Sequence, residues 1–280
     1  MEITPKVYGA TPSFSDAICV HIPGAIGDTI VALSEILNLA HKETIFVISS
    51  NKCKQERLDM CFAFRMCKTV LDFSDTSLAS YRKEYPHESL KQHIGDKYGC
   101  ELIAYEPRHH IDIDNLKHFS ESDFSFSESR FCFDSKYVLA QPVTRCYKPA
   151  RHKKDFPFFR ELSCHIAEVT KLPIYTIGHQ NDVEALKSIR GGIKNNLAGR
   201  TTILEAMHLV ANAELVISTT TWSGLFAAAM NRKVCMLFNK RETPFYWYFE
   251  KLGGYSPGII KEITNELEAR KYFNSIMKRR

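Results

Sequence analysis

The sequence predicts two doubly wound α/β halves, and three observations carry that prediction. Short apolar runs that read as buried strands alternate with stretches of helical period along most of the chain. The first run, residues 17–22 (AICVHI), ends in a glycine turn that opens a helix, and a second run, 44–48 (TIFVI), follows. Strand, turn, helix and strand make a βαβ unit, whose sheet is parallel and buried on both faces. At 280 residues the chain also exceeds what one hydrophobic core usually organises.

Taken in order, the turn at 23–28 (PGAIGD) leads into a helix over 29–40. Ile30, Leu33, Ile36, Leu37 and Ala40 share one face of it. Residues 68–73 and 101–105 read as further strands, and 77–93 as a helix. The stretch 119–133 alternates Ser, Glu and Phe and fits neither period; its aromatics suit a strand or a loop lining a cleft. Residues 137–142 restart the strand pattern. Residues 144–154 hold Arg145, Lys148, Arg151, His152, Lys153 and Lys154 without an acid, the composition of an exposed loop. Helices over 158–171, 183–189, 201–211 and 223–231 then alternate with strands at 174–177, 214–218 and 234–238, and 262–280 reads as an amphipathic C-terminal helix. The two halves are expected at 1–145 and 146–280.

Composition narrows the function. The apolar fraction of 44% and charged fraction of 25% are those of a globular protein, and the net charge of +5 is far from the basic stripe of a dedicated nucleic-acid binder. Nine cysteines are scattered without a C-x-x-C pair, as expected of free thiols in a reducing cytoplasm, and Cys53, Cys61 and Cys67 match no usual zinc spacing. The polar start, with Pro5 and Pro12, is unlike a signal peptide, and no run of about eighteen apolar residues spans a membrane. A cytoplasmic protein without a zinc site is the expectation, and nothing in the composition calls for another cofactor.

Ligands of parallel α/β sheets sit beyond the carboxyl ends of strands, against helix N-termini, and three segments qualify. The first is the turn carrying Gly24, Gly27 and Asp28, where Asp28 serves either a ligand or its own helix as a cap. Its glycine spacing is not the dinucleotide fingerprint. The second is 218–224 (STTTWSG), between a strand and an alanine-rich helix, where hydroxyls and backbone N–H groups suit a pyrophosphate or form a ligand-free cap. The third is the basic segment with Arg145, Lys148 and Lys153, which meets phosphates or is a solvated surface.

The order of motifs resembles a known family. Residues 196–205 (NLAGRTTILE), then 209–218 (LVANAELVIS), are similar to the "L-x-G-(R/K)-T-(S/T)-L-x-E", helix, strand and "D-T-G-x-x-H-L-A-A-A" series of the family-nine glycosyltransferases, the ADP-heptose:lipopolysaccharide heptosyltransferase group. The turn 24–28 looks like that family's "L-G-D" turn, and 154–157 (KDFP) like its "K-x-W-P" segment. The resemblance implies a GT-B fold of two Rossmann-like domains facing a central cleft, with acceptor bound by the N-terminal one and nucleotide sugar by the C-terminal one. It implies metal-independent, inverting transfer from a nucleotide-diphosphate sugar, an ADP-sugar foremost, to a glycan or glycolipid, phosphorylated or not, in lipopolysaccharide biosynthesis. Carried over by position, Asp28 is the general base and Lys154 neutralises the leaving diphosphate. Gly27, Gly178, Thr220, Thr221, Trp222, Ser223 and Gly224 line the donor. The chain departs from the pattern at Thr220, Trp222 and Leu225, where the family has Asp, Gly and His, which leaves the donor sugar open. Two rival readings stand beside this one: a non-catalytic nucleotide- or glycan-binding partner subunit, motivated by those departures, and a glycosyltransferase acting on nucleic acid, motivated by the basic segment and Lys278, Arg279 and Arg280.

Overall fold

A computed structural model describes residues 3–15, 17–22, 24, 26–37, 43–79, 88–104, 118–126, 130, 131, 133, 135–145, 153–155, 158–187, 189, 192–219, 221–238 and 260–278. They fall into two compact units, one holding the described residues through 104 together with 118–126, the other those from 130 onward.

The first unit runs β1 (Lys6–Gly9), β2 (Ala17–His21), α1 (Ile26–Ile36), β3 (Glu43–Ile48), α2 (Lys54–Ala63), β4 (Thr69–Asp72), α3 (Glu88–Tyr98) and β5 (Leu102–Ala104). Its five-stranded sheet has the order β1-β4-β3-β2-β5, parallel except for β1. Period 2 along each strand divides the core. Cys19, Ile45, Val47, Leu71 and Phe73 pack with Leu90 and Ile94 of α3, while Phe46, on the alternate register, stacks on Phe64 at 6.4 Å. The expected apolar face of α1 is buried at Ile30, Leu33, Ile36 and Leu37; Ala40 lies outside the described residues. Three local differences stand out. Helix α1 begins at Ile26, so Gly27 and Asp28 are inside its first turn. The helix expected over 77–93 is instead Glu88–Tyr98, with 77–79 in turn or irregular backbone and 80–87 outside the described residues. The unassigned 119–133 stretch supplies Phe119 and Phe124, buried against Phe64 with ring centroids 6.1 and 5.4 Å away, so these aromatics belong to a core.

The second unit runs β6 (Val138–Gln141), β7 (Val143–Arg145), β8 (Lys153–Asp155), α4 (Phe159–Thr170), β9 (Ile174–Thr176), a 3-10 turn (Gln180–Asp182), α5 (Val183–Lys187), β10 (Ile193–Asn196), α6 (Ile203–Asn212), β11 (Leu215–Ser218), α7 (Trp222–Ala229), β12 (Val234–Phe238), β13 (Ile260–Glu262) and α8 (Glu266–Lys278). Its six-stranded sheet has the order β10-β9-β6-β11-β12-β13, every pair parallel. Renumbered from β6, this is 3-2-1-4-5-6, the doubly wound order whose crevice opens where the order reverses, between β6 and β11. One face is closed by α4 and α8, through Phe159, Leu162, Ile166, Tyr272, Phe273 and Ile276. Helices α6 and α7 pack against each other, and α7 also against β11 and β12. Phe226, Ala227, Ala228 and Ala229 of α7 are all buried. The small alanines let that helix approach the sheet closely.

Strand β6 lies before the junction at 145/146 that the local pattern suggested, yet it is the central strand of the second sheet, paired with β9 on one side and β11 on the other. Pairing partners far along the chain decide that membership. The basic segment, expected as a loop, is strand at both ends: β7 and β8 form an antiparallel ribbon in which Thr144 faces Lys154 and Arg145 faces Lys153.

Candidate functional site

The strand order places two candidate crests, one per unit. In the first sheet the order reverses between β2 and β5, so the turn after β2 lies at a switch point. Gly24 is buried there, and Gly27 and Asp28, the second and third residues of α1, are half-buried. A carboxylate in a helix's first turn is favoured by the positive end of the helix. Below them His21, the last residue of β2, is buried, with Nε2 2.8 Å from Ser49 Oγ. Its Nδ1 has no hydrogen-bond partner among the described residues. Burial, and secondarily the nearby Arg57 guanidinium, push the imidazole pKa down to about 3, so it is neutral at physiological pH.

In the second unit the switch point brings Gln141, at the end of β6, against the turn after β11. The hydroxyl of Thr221, the N-cap residue of α7, donates to Gln141 Oε1 at 3.1 Å and lies 2.8 Å from Ser218 Oγ. Ser223 Oγ is 2.9 Å from Ser218 Oγ and 3.2 Å from Thr221 Oγ1. These hydroxyls are buried and bonded among themselves, which differs from the expectation that they face a ligand directly. The consequence for the helix is informative. The Thr221 side chain accepts no cap hydrogen bond from the first turn, its hydroxyl being engaged with Gln141, Ser218 and Ser223. With the Thr221 and Ser223 hydroxyls turned inward, main chain and helix dipole remain at this helix start as groups suited to an anion. Thr219, 1% exposed, carries an Oγ1 with no partner among the described residues. Trp222 and Leu225, three residues apart in the first turns of α7, are both half-buried. Gly224 is a glycine because a Cβ there would stand 2.3 Å from Met236 Sδ and 3.2 Å from Ser218 Cβ. Thr220 lies outside the described residues.

On the other side of β6, Gly178 follows β9. A Cβ there would meet Asp182 Oδ2 at 2.8 Å, because that buried carboxylate folds back to accept the His179 N–H at 2.7 Å. The Gly178 carbonyl accepts the Gly199 N–H at 2.9 Å, tying together the loops after β9 and β10. The β7–β8 ribbon reaches the same end of the sheet: β7 follows β6 directly and packs on the 3-10 turn Gln180–Asp182. Lys154 thus has its backbone at this crest. Its side chain, those of Arg145 and Lys153, and all of Lys148 lie outside the described residues.

Two residues that sequence reasoning assigned no separate role, one of them the glutamate that ends the 196–205 motif, meet at the start of α6. Glu205, the N3 residue of α6, closes a capping box with Thr202 and takes a two-pronged contact from Arg130, Nε at 2.7 Å and Nη2 at 3.0 Å. Arg130 above all, with the Thr202 N–H, holds the Glu205 carboxyl down to about 2 against its partial burial. Arg130 also donates to the Arg200 carbonyl at 3.1 Å, so the glycine-containing loop before α6 is anchored twice. The S/T-x-x-E spacing was a legible signal for the cap; nothing local pointed to Arg130 as its partner. Cys61 and Cys67 are buried free thiols, pushed up in pKa by desolvation. No group of three metal-ligating side chains occurs among the described residues.

The comparisons with known proteins agree with this geometry. The family model described as Glycosyltransferase family 9 (heptosyltransferase) matches residues 61–248, about two thirds of the chain. No curated protein matches. Among solved structures, the fold is similar to the ADP-heptose lps heptosyltransferase II of E. coli, with TM-score 0.55 and 13% identity over 93% of this chain and 98% of that one. A family 9 glycosyl transferase of Veillonella parvula DSM 2008 gives TM-score 0.57 and 10% identity over 96% and 92%. E. coli heptosyltransferase WaaC, solved with ADP, gives 0.52 and 11% over 94% and 97%. The two Rossmann-like sheets, the ordered motifs and the family match lead to one conclusion: the chain is a GT-B protein belonging to glycosyltransferase family 9.

Proposed function

We propose that the chain transfers a sugar, with inversion, from a nucleotide-diphosphate donor to the hydroxyl of a glycan or glycolipid, with Asp28 as general base. The observation that carries the reading is the start of α7 at the switch point of the second sheet, where the N-cap side chain makes no cap bond. The N-cap hydroxyl is turned into the protein, leaving main-chain N–H groups and the helix dipole to a diphosphate. An acceptor oxygen attacks the anomeric carbon, forming the new C–O bond as the bond from that carbon to the β-phosphate oxygen breaks. The acceptor proton passes to the Asp28 carboxylate, and the nucleoside diphosphate leaves with the electron pair. A carboxylate suffices as base because the hydroxyl becomes acidic only as the bond forms. Lys154, whose strand lies at the same crest, neutralises the charge growing on the departing diphosphate, and Thr221–Gly224 with Thr220 seat it. Gly178 and the turn after it sit beside the nucleotide.

An ADP-sugar is the donor of choice because the structural neighbour WaaC is solved with ADP. The acceptor is a phosphorylated glycolipid of the lipopolysaccharide kind, as the neighbours' names suggest, which Arg145, Lys148 and Lys153 suit by charge. No described helix is long and apolar enough to cross a membrane, and the proposed transfer takes place in the cytoplasm on a surface-bound acceptor. The test is nucleoside-diphosphate release from a panel of nucleotide sugars, wild type against Asp28→Ala. Equal turnover by the two removes Asp28 as base, and tight nucleotide binding without turnover on any acceptor would favour a non-catalytic partner subunit instead.

A further inference from the structure

Arg57 is the largest fully buried side chain among the described residues, a guanidinium with no surface exposure on the first turns of α2. Three hydrogen bonds from it run to main-chain carbonyls of two different loops. Nη1 donates to the Ile22 carbonyl at 3.1 Å, on the segment that leads from β2 into α1. Nε donates to the Lys52 carbonyl at 3.0 Å, and Nη2 to the Ser50 carbonyl, both in the loop between β3 and α2. A cation taken wholly out of water costs several kcal/mol unless its protons are met, and desolvation does lower this guanidinium's pKa. Such a group is an expensive way to fill a core, and hydrocarbon of the same volume would serve packing alone. What only a planar fork with fixed donor directions supplies is simultaneous registration of several carbonyls.

The neighbouring geometry shows what is registered. Gly24 lies beside the second loop, where a Cβ on it would be at ordinary contact distance, 3.5 Å from Ser50 Oγ and 3.7 Å from Lys52 Cδ. Ile22 is also held from the far side, its N–H donating to the Val47 carbonyl at 2.8 Å. On the same turn of α2, Lys54 contacts Asp72 at 2.6 Å and Asp75 at 3.1 Å, so one helix start laces the crests of β2, β3 and β4. Six residues after Ile22 stands Asp28.

We propose that Arg57 is a positioning residue: it locks the segment between β2 and α1 onto the loop after β3 and thereby fixes where α1 presents Asp28. The catalytic consequence rests on the reading of Asp28 as base; the mechanical one does not. The test uses the full chain with Arg57→Lys, which keeps the charge and loses the fork, and Arg57→Met, which keeps bulk alone. Hydrogen exchange of peptides covering 20–30 and 48–55 is expected to speed at least fivefold in Arg57→Lys, with peptides covering 215–230 unchanged as the sign of an intact fold. With ADP-heptose as probe, nucleoside-diphosphate release is expected to lose at least tenfold in kcat with less than a threefold change in donor KM. Millimolar guanidinium is expected to restore part of the activity of Arg57→Ala and none of that of Asp28→Ala. Wild-type exchange in both segments of Arg57→Lys and Arg57→Met overturns the proposal. If Arg57→Met fails to fold, Arg57→Lys decides it. If wild type turns over no nucleotide sugar, the reading of Asp28 falls by itself, while the exchange result still upholds or overturns the lock.

Discussion

At the scale of single residues, the site contrasts groups held charged with groups held neutral. His21 is neutral in the fold because its burial cannot repay a proton's desolvation. Its pKa falls from about 6.5 in an unfolded chain to about 3 in the folded one. The unfolded state therefore takes up a proton as the pH drops below about 6.5 while the folded state does not, and stability is lost across the window from 6.5 down to 3. Between pH 6.5 and 5 this one group is expected to remove roughly 1.5 kcal/mol. Chemical denaturation of wild type and His21→Leu over that range checks it, since the variant's slope should be shallower; parallel slopes would mean that His21 is not buried neutral. Asp28 makes a different prediction. A positioned general base is worth about 10²–10⁴ in rate, so Asp28→Asn should lower kcat by that order and leave donor KM within a few fold.

Among elements, the two helix starts at the second crest are capped by opposite means. Helix α6 is closed by its own box, Thr202 accepting from the Glu205 N–H at 3.2 Å and Glu205 from the Thr202 N–H at 2.8 Å. Thr202→Ala should cost about 1 kcal/mol, read as a lower melting temperature. Helix α7 makes no such closure, and its Gly224 lies hard on Met236. Gly224→Ala should destabilise by about 1–3 kcal/mol as Met236 is forced aside, and Gly224→Ala combined with Met236→Ala should recover part of that loss. If the single variant melts like wild type, the helix is not packed as tightly as its alanine face implies.

For the whole molecule, the proposed transfer is one that proceeds without a metal. Dialysis against EDTA should leave both melting temperature and nucleoside-diphosphate release unchanged, and a loss restored by a divalent ion would replace Lys154 with a cation in the mechanism. Saturating nucleotide should also stabilise the native state, by about 2.7 kcal/mol at a hundredfold excess over Kd. A panel of nucleoside diphosphates ranked by thermal shift would then name the base.

How much of this was legible beforehand follows from what is local. Strands such as 44–48 and helices such as the one with Ile30, Leu33 and Ile36 were legible because period and apolar content lie within one short segment. The family motifs at 196–205 and 209–218 were legible from their order along the chain, and the candidate roles of Asp28 and Lys154 came from the resemblance those motifs carry. The short strands β1, β10 and β13 were not legible, since each is of only three or four residues and β10 is largely polar; backbone pairing with a neighbour makes them strands. The same reason hid Gln141 as the partner of Thr221, eighty residues away, and Arg130 as the partner of Glu205. The sequence by itself thus determined the fold class, the alternation of elements and the family. Only the tertiary structure decided that β6 is the centre of the second sheet, that the hydroxyls of Thr221 and Ser223 turn inward, and that Arg57 joins the two loops beside Asp28. Those outcomes depend on which distant groups meet, and a buried donor or charge takes the partner that the packing brings to it.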